Sequence, residues 1–402
     1  MEVRNIALLG HKDHGKSTLI GSLLMQTGAA TKVRMMEAEA YSKKLHRPFE
    51  PAFILDSFSE ERVRGMTYDT TRAEIKYRSA ALALIDVPGH EELIKNMISG
   101  ASYGELALLL VSAMGGEGVM AQTKRHVFIA KMLGMESIVV AVNKMDTVNY
   151  GEEVFQRIKS QMTAFLKAIG YKEANIAFVP ISAYRTENLV ARSTLMDWYH
   201  GGSLLETAYG MLSRARKPAR GQLRLLMQGC IETGSGTFSS GRILQGNVRV
   251  GQVLRSTMDR GRHSVSKIFV KGTRVKTAIA GENVAIRLGD GLRLPRGAVL
   301  YGANESLRAR RRMLTLIFAT RRIGQQARIR FIGNEYKARF KILDIIDPTT
   351  GKTLRNGTLA PLRAADAEME VDAPIPAGKP AELSRFTIYS GKEFSGIGIV
   401  NG

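Results

Sequence analysis

The sequence predicts a multi-domain protein in which an α/β domain with a parallel-rich sheet is followed by two small antiparallel β-barrels. Three observations lead to this fold class. The chain has 402 residues, which exceeds the usual size of one domain. In the first half, apolar strand-like runs alternate with helical segments, a pattern typical of a parallel sheet covered by helices. In the second half, short β-type runs are punctuated by glycine and show almost no helical period.

The elements of the first half can be placed in order. Its strands are expected in the apolar runs at residues 6–9, 81–87, 106–113, 137–142 and 176–181. Before the last run, apolar residues recur at helical spacing from Phe155 to Ile169, and Gly170 follows where a C-cap belongs. Residues 213–220 are basic and broken by proline, so we expect a linker there. The expected domains are therefore residues 1–212, 219–305 and 309–402.

Composition excludes several classes of protein. Hydrophobic residues make up 44% and charged residues 24% of the chain, which excludes wholesale disorder. The single cysteine, Cys230, excludes a disulfide scaffold and a cysteine-built zinc site. No run approaches the roughly 18 apolar residues of a membrane span, and the first residues show no signal-peptide pattern. We therefore expect a cytoplasmic protein with no membrane partner.

Positive charge is concentrated in the second half. The formal net charge is +21. Residues 1–210 contribute a net of only about +1, whereas residues 211–402 contribute about +20. Lysines and arginines that serve solubility alone would be spread more evenly. This segregation predicts that the two barrels bind a polyanion, and RNA is the expected one.

A phosphate-binding loop follows the first expected strand. The segment GHKDHGKS at residues 10–17 has the pattern of glycine, four residues and Gly-Lys-Ser, and an apolar helix begins after it. Its backbone N–H groups and the helix N-terminus favour bound phosphates, and Lys16 is expected to reach the β- and γ-phosphates. The residues expected to contact the nucleotide here are Gly10, His11, Asp13, His14, Gly15, Lys16, Ser17 and Thr18.

Two further segments are expected to meet the γ-phosphate. Asp86 and Gly89 end the second strong strand, where the aspartate can hold Mg²⁺ through water and the glycine N–H can meet the phosphate. Thr67 lies in a segment between this motif and the phosphate loop, and it can close over the ion. A segment that the γ-phosphate orders and hydrolysis releases is a switch. The expected magnesium ligands are Ser17, Thr67 and Asp86.

Polar residues after the fourth and fifth strands predict that the base is guanine. A carboxylate at Asp146 can accept hydrogen bonds from N1–H and the 2-amino group of guanine, and adenine offers neither donor in that arrangement. Asn143 is expected to approach the other edge of the base, and Lys144 to pack along its plane. Ser182 and Ala183 are expected to offer a backbone N–H to the guanine carbonyl. Asn-Lys-x-Asp is also a serviceable turn, and it is the order of all these motifs after strands that favours a nucleotide site.

In this order and spacing, the motifs resemble those of the translational GTPases of the elongation factor Tu and elongation factor 1-alpha family. The phosphate loop is similar to the family's Gly-His-Val-Asp-His-Gly-Lys-Ser-Thr, with Lys12 in place of valine. The insert from about residue 32 to 58 resembles the helical first-switch region of the 1-alpha type. Segments across the second half also resemble barrel segments of the family, at residues 234–251, 280–284, 296–297, 345–352 and 384–388.

The resemblance implies a P-loop GTPase that binds GTP and GDP with Mg²⁺, hydrolyses GTP, and delivers aminoacyl-tRNA to the ribosome in its GTP state. A guanine-nucleotide exchange factor is a further implied partner. His90, directly after Gly89, is expected to hold or activate the attacking water. Lys16 and Thr67 complete the expected catalytic set, because they handle phosphate charge and magnesium.

Departures from the family pattern leave alternatives open. The chain reads Tyr389-Ser390-Gly391-Lys392 where the family has an Arg-Asp pair, and a Trp-His-Pro-like corner is absent around residues 318–322. These parts of the family help to receive aminoacyl-tRNA. The alternatives are a ribosome-rescue or termination GTPase, a selenocysteine-type factor, and the GTPase subunit of sulfate adenylyltransferase. The last usually has Asp-Asp at Asp13-His14 and needs no basic second half. A non-enzymatic binding module is disfavoured because every nucleotide motif is present.

Overall fold

The computed structural model describes residues 2–44, 46, 48–55, 71–86, 105–115, 118–215, 221–233, 236–259, 261–289, 291–305, 307, 309–354, 359–377 and 383–401. The chain divides into two compact units. Unit 1 comprises Met1–Ala215 and Ile346–Leu354, and unit 2 comprises Arg216–Ile345 and Arg355–Gly402.

A six-stranded, mostly parallel sheet forms the centre of unit 1. Its strands are β1 (Glu2–Leu9), β2 (Thr71–Tyr77), β3 (Ala80–Asp86), β4 (Leu106–Ser112), β5 (Ile138–Asn143) and β6 (Ile176–Pro180). The strand order is β2-β3-β1-β4-β5-β6. Every neighbouring pair is parallel except β2 and β3, which are antiparallel. The predicted α/β domain with a parallel-rich sheet is confirmed.

Helices accompany this sheet. They are α1 (Lys16–Gln26), α2 (Lys32–Lys44), α3 (Ala121–Met132), α4 (Glu152–Ala168) and α5 (Leu204–Ala215). In α4, the apolar residues at helical spacing are buried, and Gly170 just after the helix has a φ of 87°, which glycine adopts without strain. None of the helices in the described part of the chain has the length and apolarity needed to cross a bilayer.

The parallel arrangement places the candidate motifs at one edge of the sheet. Because β1, β3, β5 and β6 run in the same direction, their carboxyl ends meet on one side. The phosphate loop follows β1, Asp86 ends β3, Asn143 ends β5, and Ser182 comes just after β6. In open α/β sheets this edge is where ligands bind.

One strand was not predicted, and several boundaries differ from the sequence expectations. Strand β2 was not anticipated, because Thr71–Tyr77 alternates apolar and charged residues instead of forming an apolar run. Strand β3 begins at Ala80 and ends at Asp86, whereas the strand was expected at residues 81–87. Helix α5 continues to Ala215, so the linker expected from residue 213 begins inside the helix. The charged residues there are compatible with a helical turn.

Unit 2 contains two closed barrels, as predicted. In the first, β10 pairs with both β15 and β11, which closes six strands in the order β10-β15-β7-β8-β14-β11. In the second, β17 pairs with both β18 and β21, which closes β17-β21-β22-β16-β20-β18. Closure leaves the barrel strands without unpaired edges. Each barrel has its own buried apolar core, centred on residues such as Leu225 and Ile286 in one and Phe331 and Phe386 in the other.

The strands of the first barrel sheet are β7 (Arg224–Thr233), β8 (Gly236–Gln245), β10 (Val253–Ser256), β11 (His263–Val270), β12 (Thr273–Val275), β14 (Asn283–Leu288) and β15 (Val299–Gly302). A separate ribbon pairs β9 (Asn247–Arg249) with β13 (Thr277–Ile279). The strands of the second barrel are β16 (Arg310–Ala319), β17 (Gln326–Phe331), β18 (Asn334–Ile346), β20 (Arg363–Ile375), β21 (Arg385–Ser390) and β22 (Glu393–Val400). The short strand β19 (Thr353–Leu354) lies in the segment assigned to unit 1. The domain boundaries at residues 212, 219, 305 and 309 remain predictions.

Candidate nucleotide-binding site

The two glycines of the phosphate loop are required by its backbone. Gly10 has a φ of 140°, and a Cβ placed there would lie 2.8 Å from the carbonyl oxygen of Leu110. Gly15 has a φ of 87°, and its Cβ would lie 2.6 Å from the side-chain nitrogen of Asn143. Side chains at either position would therefore clash with neighbouring elements as well as strain the backbone. Both glycines allow the loop to curl tightly between β1 and α1.

Lys16 occupies the inside of this curl. Its side chain is buried, and its Nζ donates hydrogen bonds to the carbonyl oxygens of Gly10 at 3.1 Å and His11 at 3.0 Å. Burial lowers the pKa of Lys16, and the carboxylates of Asp86 and Asp13 oppose that shift. A cation held within a ring of backbone groups at a helix N-terminus is arranged to meet phosphate oxygens.

The histidines of the loop contact protein groups. His14 is fully buried, and its Nδ1 lies 3.0 Å from the carbonyl oxygen of Leu110 in β4. His11 caps the short 3-10 helix that precedes α1, where its Nδ1 accepts from the backbone N–H of Asp13. Ser17 and Asp13 are exposed, and Thr18 is half-buried. His11 and His14 therefore help to shape the loop, whereas the side chain of Ser17 remains accessible.

Asn143 joins the phosphate loop to the segment after β6. Its side-chain nitrogen donates to the carbonyl oxygen of His14 at 2.8 Å, and its side-chain oxygen accepts from the backbone N–H of Ala183 at 2.8 Å. The residue is 2% exposed, so both of these bonds form away from water. These two bonds fix the side chain between the phosphate loop and the segment after β6, and the expected approach of Asn143 to the edge of the base stays a prediction.

The carboxylate expected to recognise guanine is also held in place. Asp146 lies in a 3-10 turn, Met145–Val148, and its Oδ1 accepts from the hydroxyl of Ser182 at 2.6 Å. Ser182 exchanges two backbone hydrogen bonds with Glu187 across a short bridge. Asp146 as a whole is partly exposed. Lys144, in the left-handed region with a φ of 65°, begins this turn.

Two residues of the site were missed by sequence reasoning. Ser22, buried in α1, donates its hydroxyl to the carbonyl oxygen of Ala183 at 2.6 Å. Burial raises the pKa of Tyr150, and the nearby carboxylates of Asp146 and Glu187 raise it further. A buried serine and a loop tyrosine carry no motif, so only the spatial neighbours identify them.

The oxygen ligands at this edge suit a magnesium ion. Ser17 offers an exposed hydroxyl at the start of α1, and Asp86 offers a carboxylate at the end of β3. Hydroxyl and carboxylate oxygens are hard ligands of the kind that Mg²⁺ prefers, with phosphate oxygens and water completing its shell. No cluster of three or more acidic, histidine or cysteine side chains that could hold a metal by itself occurs among the residues that the structure describes.

Three predicted site residues, Thr67, Gly89 and His90, lie outside the described residues. The structure brings together the phosphate loop, Asp86 and the residues expected to recognise guanine, and the roles of all these residues in binding and hydrolysis stay predictions.

Cavities open on both barrels of unit 2. One, of about 650 Å³, opens on the second barrel and is lined by Arg311, Arg328, Lys337, Arg339, Tyr389 and other residues, with Glu370 and Asp372 as its acidic members. The other, of about 450 Å³, opens on the first barrel and has apolar walls that include Ile231, Phe238, Phe269 and Val284. The first cavity therefore combines arginine and lysine with an aromatic ring, which suits a phosphate-bearing ligand.

Comparison with known proteins identifies relatives of this architecture. The family model of the elongation factor Tu GTP-binding domain matches residues 1–214. The elongation factor 1-alpha of Methanothermobacter thermautotrophicus is 36% identical over 288 residues, which is 71% of this chain and 67% of that protein. The elongation factor 1-alpha of Caldivirga maquilingensis is 41% identical over 257 residues, which is 62% of this chain and 58% of that protein.

A solved structure shares the fold over the whole chain. The crystal structure of a bacterial selenocysteine-specific elongation factor aligns with a TM-score of 0.52 and 23% sequence identity, covering 100% of this chain and 58% of the other. Since the matched segments span between 58% and 67% of the two curated relatives named above, parts of those relatives have no counterpart in the alignments.

Proposed function

The chain belongs to the translational GTPase family defined by the elongation factor Tu GTP-binding domain, and we propose that it is an elongation factor that delivers aminoacyl-tRNA to the ribosome in its GTP state. One observation carries the nucleotide half of this proposal. Asn143 ties the phosphate loop to the guanine-recognition segment through two buried hydrogen bonds, so that phosphate and base would be bound by one preorganised surface.

The residues have separate tasks in the proposed hydrolysis. Lys16 is already buried among backbone carbonyls, so the β- and γ-phosphates of GTP would replace weak partners by strong ones. Ser17 and Asp86 would hold Mg²⁺ against the phosphates. The ion would supply charge neutralisation of the γ-phosphate. Phosphoryl transfer then requires mainly the positioning of charge and of the attacking water.

His90 is the residue that we assign to the attacking water. It follows Gly89, which is expected to meet the γ-phosphate, so that its imidazole can swing toward a water in line with the leaving group. Lys16, Ser17 and Thr67 are better suited to charge and metal than to water. Slow intrinsic hydrolysis would follow if the imidazole approaches only when the ribosome repositions it.

The RNA half of the proposal is supported by the charge of unit 2. The cavity on the second barrel has four basic side chains, Arg311, Arg328, Lys337 and Arg339, and the ring of Tyr389. Contacts to phosphate dominate nucleic-acid affinity, and they require basic groups of this kind on one face. The alternative role in sulfate activation gives no reason for a strongly basic second half. The ribosome as partner, an exchange factor and a cytoplasmic location follow as parts of the same proposal.

Isolation of the bound RNA tests the proposed function. The protein would be recovered with a non-hydrolysable GTP analogue and, in parallel, with GDP, and the retained RNA would be sequenced with its aminoacylation state preserved. We expect aminoacylated elongator tRNAs of many kinds with the analogue and little RNA with GDP. Retention of a single tRNA species, of a termination factor, or of no RNA in either state would contradict the proposal.

A further inference from the structure

The turn behind Asp146 is conformationally strained. Asn149 and Tyr150 are consecutive non-glycine residues in the left-handed region, with φ values of 52° and 56°. L side chains rarely adopt this conformation, and it persists only where the surroundings hold it. Within the turn, the backbone N–H of Tyr150 donates to the carbonyl oxygen of Met145 at 2.8 Å. The position of Asp146 therefore depends on whatever keeps Tyr150 in place.

The carbonyl oxygen of Tyr150 has one long-range partner. The indole Nε1 of Trp198, 48 residues further along the chain, donates a hydrogen bond to it at 2.9 Å. Trp198 is the single tryptophan of the protein. Its ring lies against Phe155 near the start of α4, with 5.2 Å between ring centroids.

The indole is itself held by a fixed support. The ring of Tyr199 contacts both Trp198 and Phe155, at 6.2 Å and 6.0 Å between centroids. The hydroxyl of Tyr199 donates to the carbonyl oxygen of Phe178 in β6, and burial raises the pKa of Tyr199 to about 12. Because the rings of Phe155 and Tyr199 pack against the indole, they give Trp198 a defined position from which to hold the turn.

Asp146 is therefore supported from two sides. Ser182 donates to its carboxylate directly, while Trp198 acts on the backbone that carries it. A carboxylate that must accept two hydrogen bonds from one base edge tolerates little rotation, since hydrogen bonds weaken steeply when their angle closes. Loss of the second support would leave the carboxylate bonded to Ser182 but free to shift with the strained turn.

We propose that Trp198 is a positioning residue for guanine recognition: by holding the carbonyl of Tyr150, it keeps the left-handed turn and thereby the Asp146 carboxylate in the orientation that selects guanine. This inference rests on the guanine-nucleotide part of the proposed function and not on tRNA delivery. It predicts that the indole N–H controls how long a guanine nucleotide stays bound and how well guanine is separated from hypoxanthine, which lacks the 2-amino group.

The test compares Trp198→Phe with the parent protein. Phenylalanine keeps an aromatic ring in the cluster and removes the indole donor. GDP dissociation and the affinities for GDP and inosine diphosphate would be measured for the full chain. We expect Trp198→Phe to release GDP about tenfold faster, the scale of one lost, partly buried hydrogen bond, and to lose most of its preference for GDP over inosine diphosphate.

Tyr199→Phe is the matched control. It removes a hydrogen bond from the same aromatic cluster but leaves Trp198 and Tyr150 untouched. We expect it to lower the melting temperature while GDP release stays within about twofold of the parent and the nucleotide preference is unchanged. If Trp198→Phe behaves like Tyr199→Phe, with a lower melting temperature alone, the tryptophan has no positioning role.

A double variant, Asn149→Gly with Trp198→Phe, covers a folding failure of the single variant. Glycine adopts the left-handed region freely, so the turn would depend less on the hydrogen bond from the indole. We therefore expect the double variant to fold and to recover most of the preference for guanine. A double variant that stays unfolded, or that releases GDP as fast as the single variant, would overturn the proposal. A parent that binds ADP as tightly as GDP would instead refute the proposed function.

Discussion

The side-chain amide of Asn143 donates to the carbonyl oxygen of His14 across 129 residues of sequence, at 2.8 Å and out of contact with water. This bond connects the two parts of the candidate site that the sequence presents as separate motifs. One is the loop that would hold the phosphates, and the other is the strand end that would read the base. The consequences of breaking it can be measured.

Asn143→Ala should weaken binding of both halves of the nucleotide. The change removes two buried hydrogen bonds and leaves the carbonyl of His14 and the N–H of Ala183 unsatisfied, at a cost of about 3 kcal/mol in total. We expect GDP affinity to fall on the order of a hundredfold, and inorganic pyrophosphate affinity to fall as well. Ser203→Ala is the control, because it removes a buried hydroxyl bond to Val190 in the same unit. Unchanged pyrophosphate binding in Asn143→Ala would show that the link does not support the phosphate loop.

Asp146→Asn should move specificity from guanine toward xanthine. The amide presents a donor to the donors of guanine, but it suits the 2-oxo group of xanthine. Competition binding with GTP, ATP and XTP measures the change, and we expect GTP affinity to fall by roughly a hundredfold or more. Asp197→Asn, an exposed carboxylate of the same unit, should leave all three affinities unchanged. Equal ATP and GTP affinity in the parent would refute the assignment of Asp146.

Proton uptake should accompany GTP binding at alkaline pH. Burial lowers the pKa of Lys16 in the free protein, and phosphate favours the charged lysine, so bound nucleotide raises that pKa again. The charged form binds, so affinity is complete below the lowered pKa and falls as pH rises through it. Calorimetry in buffers of different ionisation enthalpy should detect this uptake in the parent. Lys159→Met, on the exposed face of α4, should retain it, whereas Lys16→Met should lose it. Equal uptake in both variants would exclude Lys16 as its source.

The cavity on the second barrel should contribute directly to RNA affinity. Lys337 and Arg339 line it and are exposed. If both contact phosphate, the double variant Lys337→Gln with Arg339→Gln should reduce the slope of log K against log salt by about two, uniformly across RNA sequences. Arg249→Gln with Lys276→Gln removes the same charge from the ribbon of the first barrel. The same reduction in both double variants would indicate a general charge effect and not this cavity.

The sequence predicted most of the first sheet because its central strands are continuous apolar runs. Strands such as β4 and β5 are buried along their whole length, and a fully buried parallel strand has no alternation to obscure it. Strand β2 was not predicted because its apolar residues alternate with charged ones: Ala73 and Ile75 are buried, and Tyr77 packs against the same core. Its charged neighbours made the segment look like a loop, although their period of two is typical of an edge strand.

The site was predictable where function depends on residue type and spacing, and not where it depends on spatial neighbours. The phosphate loop and Asp146 belong to patterns that nucleotide chemistry requires. By contrast, the bonds of Asn143 and Ser22 end on backbone carbonyl or N–H groups of other loops. Every residue has such groups, so no sequence pattern marks these partners.

The proposed function couples GTP hydrolysis to delivery of aminoacyl-tRNA. Its most direct test is single-turnover GTP hydrolysis with and without ribosomes, in the presence of aminoacyl-tRNA, of uncharged tRNA, or of no tRNA. His90→Ala would be measured beside the parent. Its GTP affinity should stay within about threefold, since the side chain is expected to touch no ground-state phosphate.

We predict slow hydrolysis by the protein alone and strong acceleration only when ribosomes and aminoacyl-tRNA are both present. His90→Ala should lose that acceleration by on the order of a hundredfold or more, the scale of a positioned transition-state group. Equal acceleration of His90→Ala would remove His90 from the catalytic set. Acceleration by ribosomes without aminoacyl-tRNA, or no acceleration by ribosomes at all, would contradict the assignment of this protein as an elongation factor.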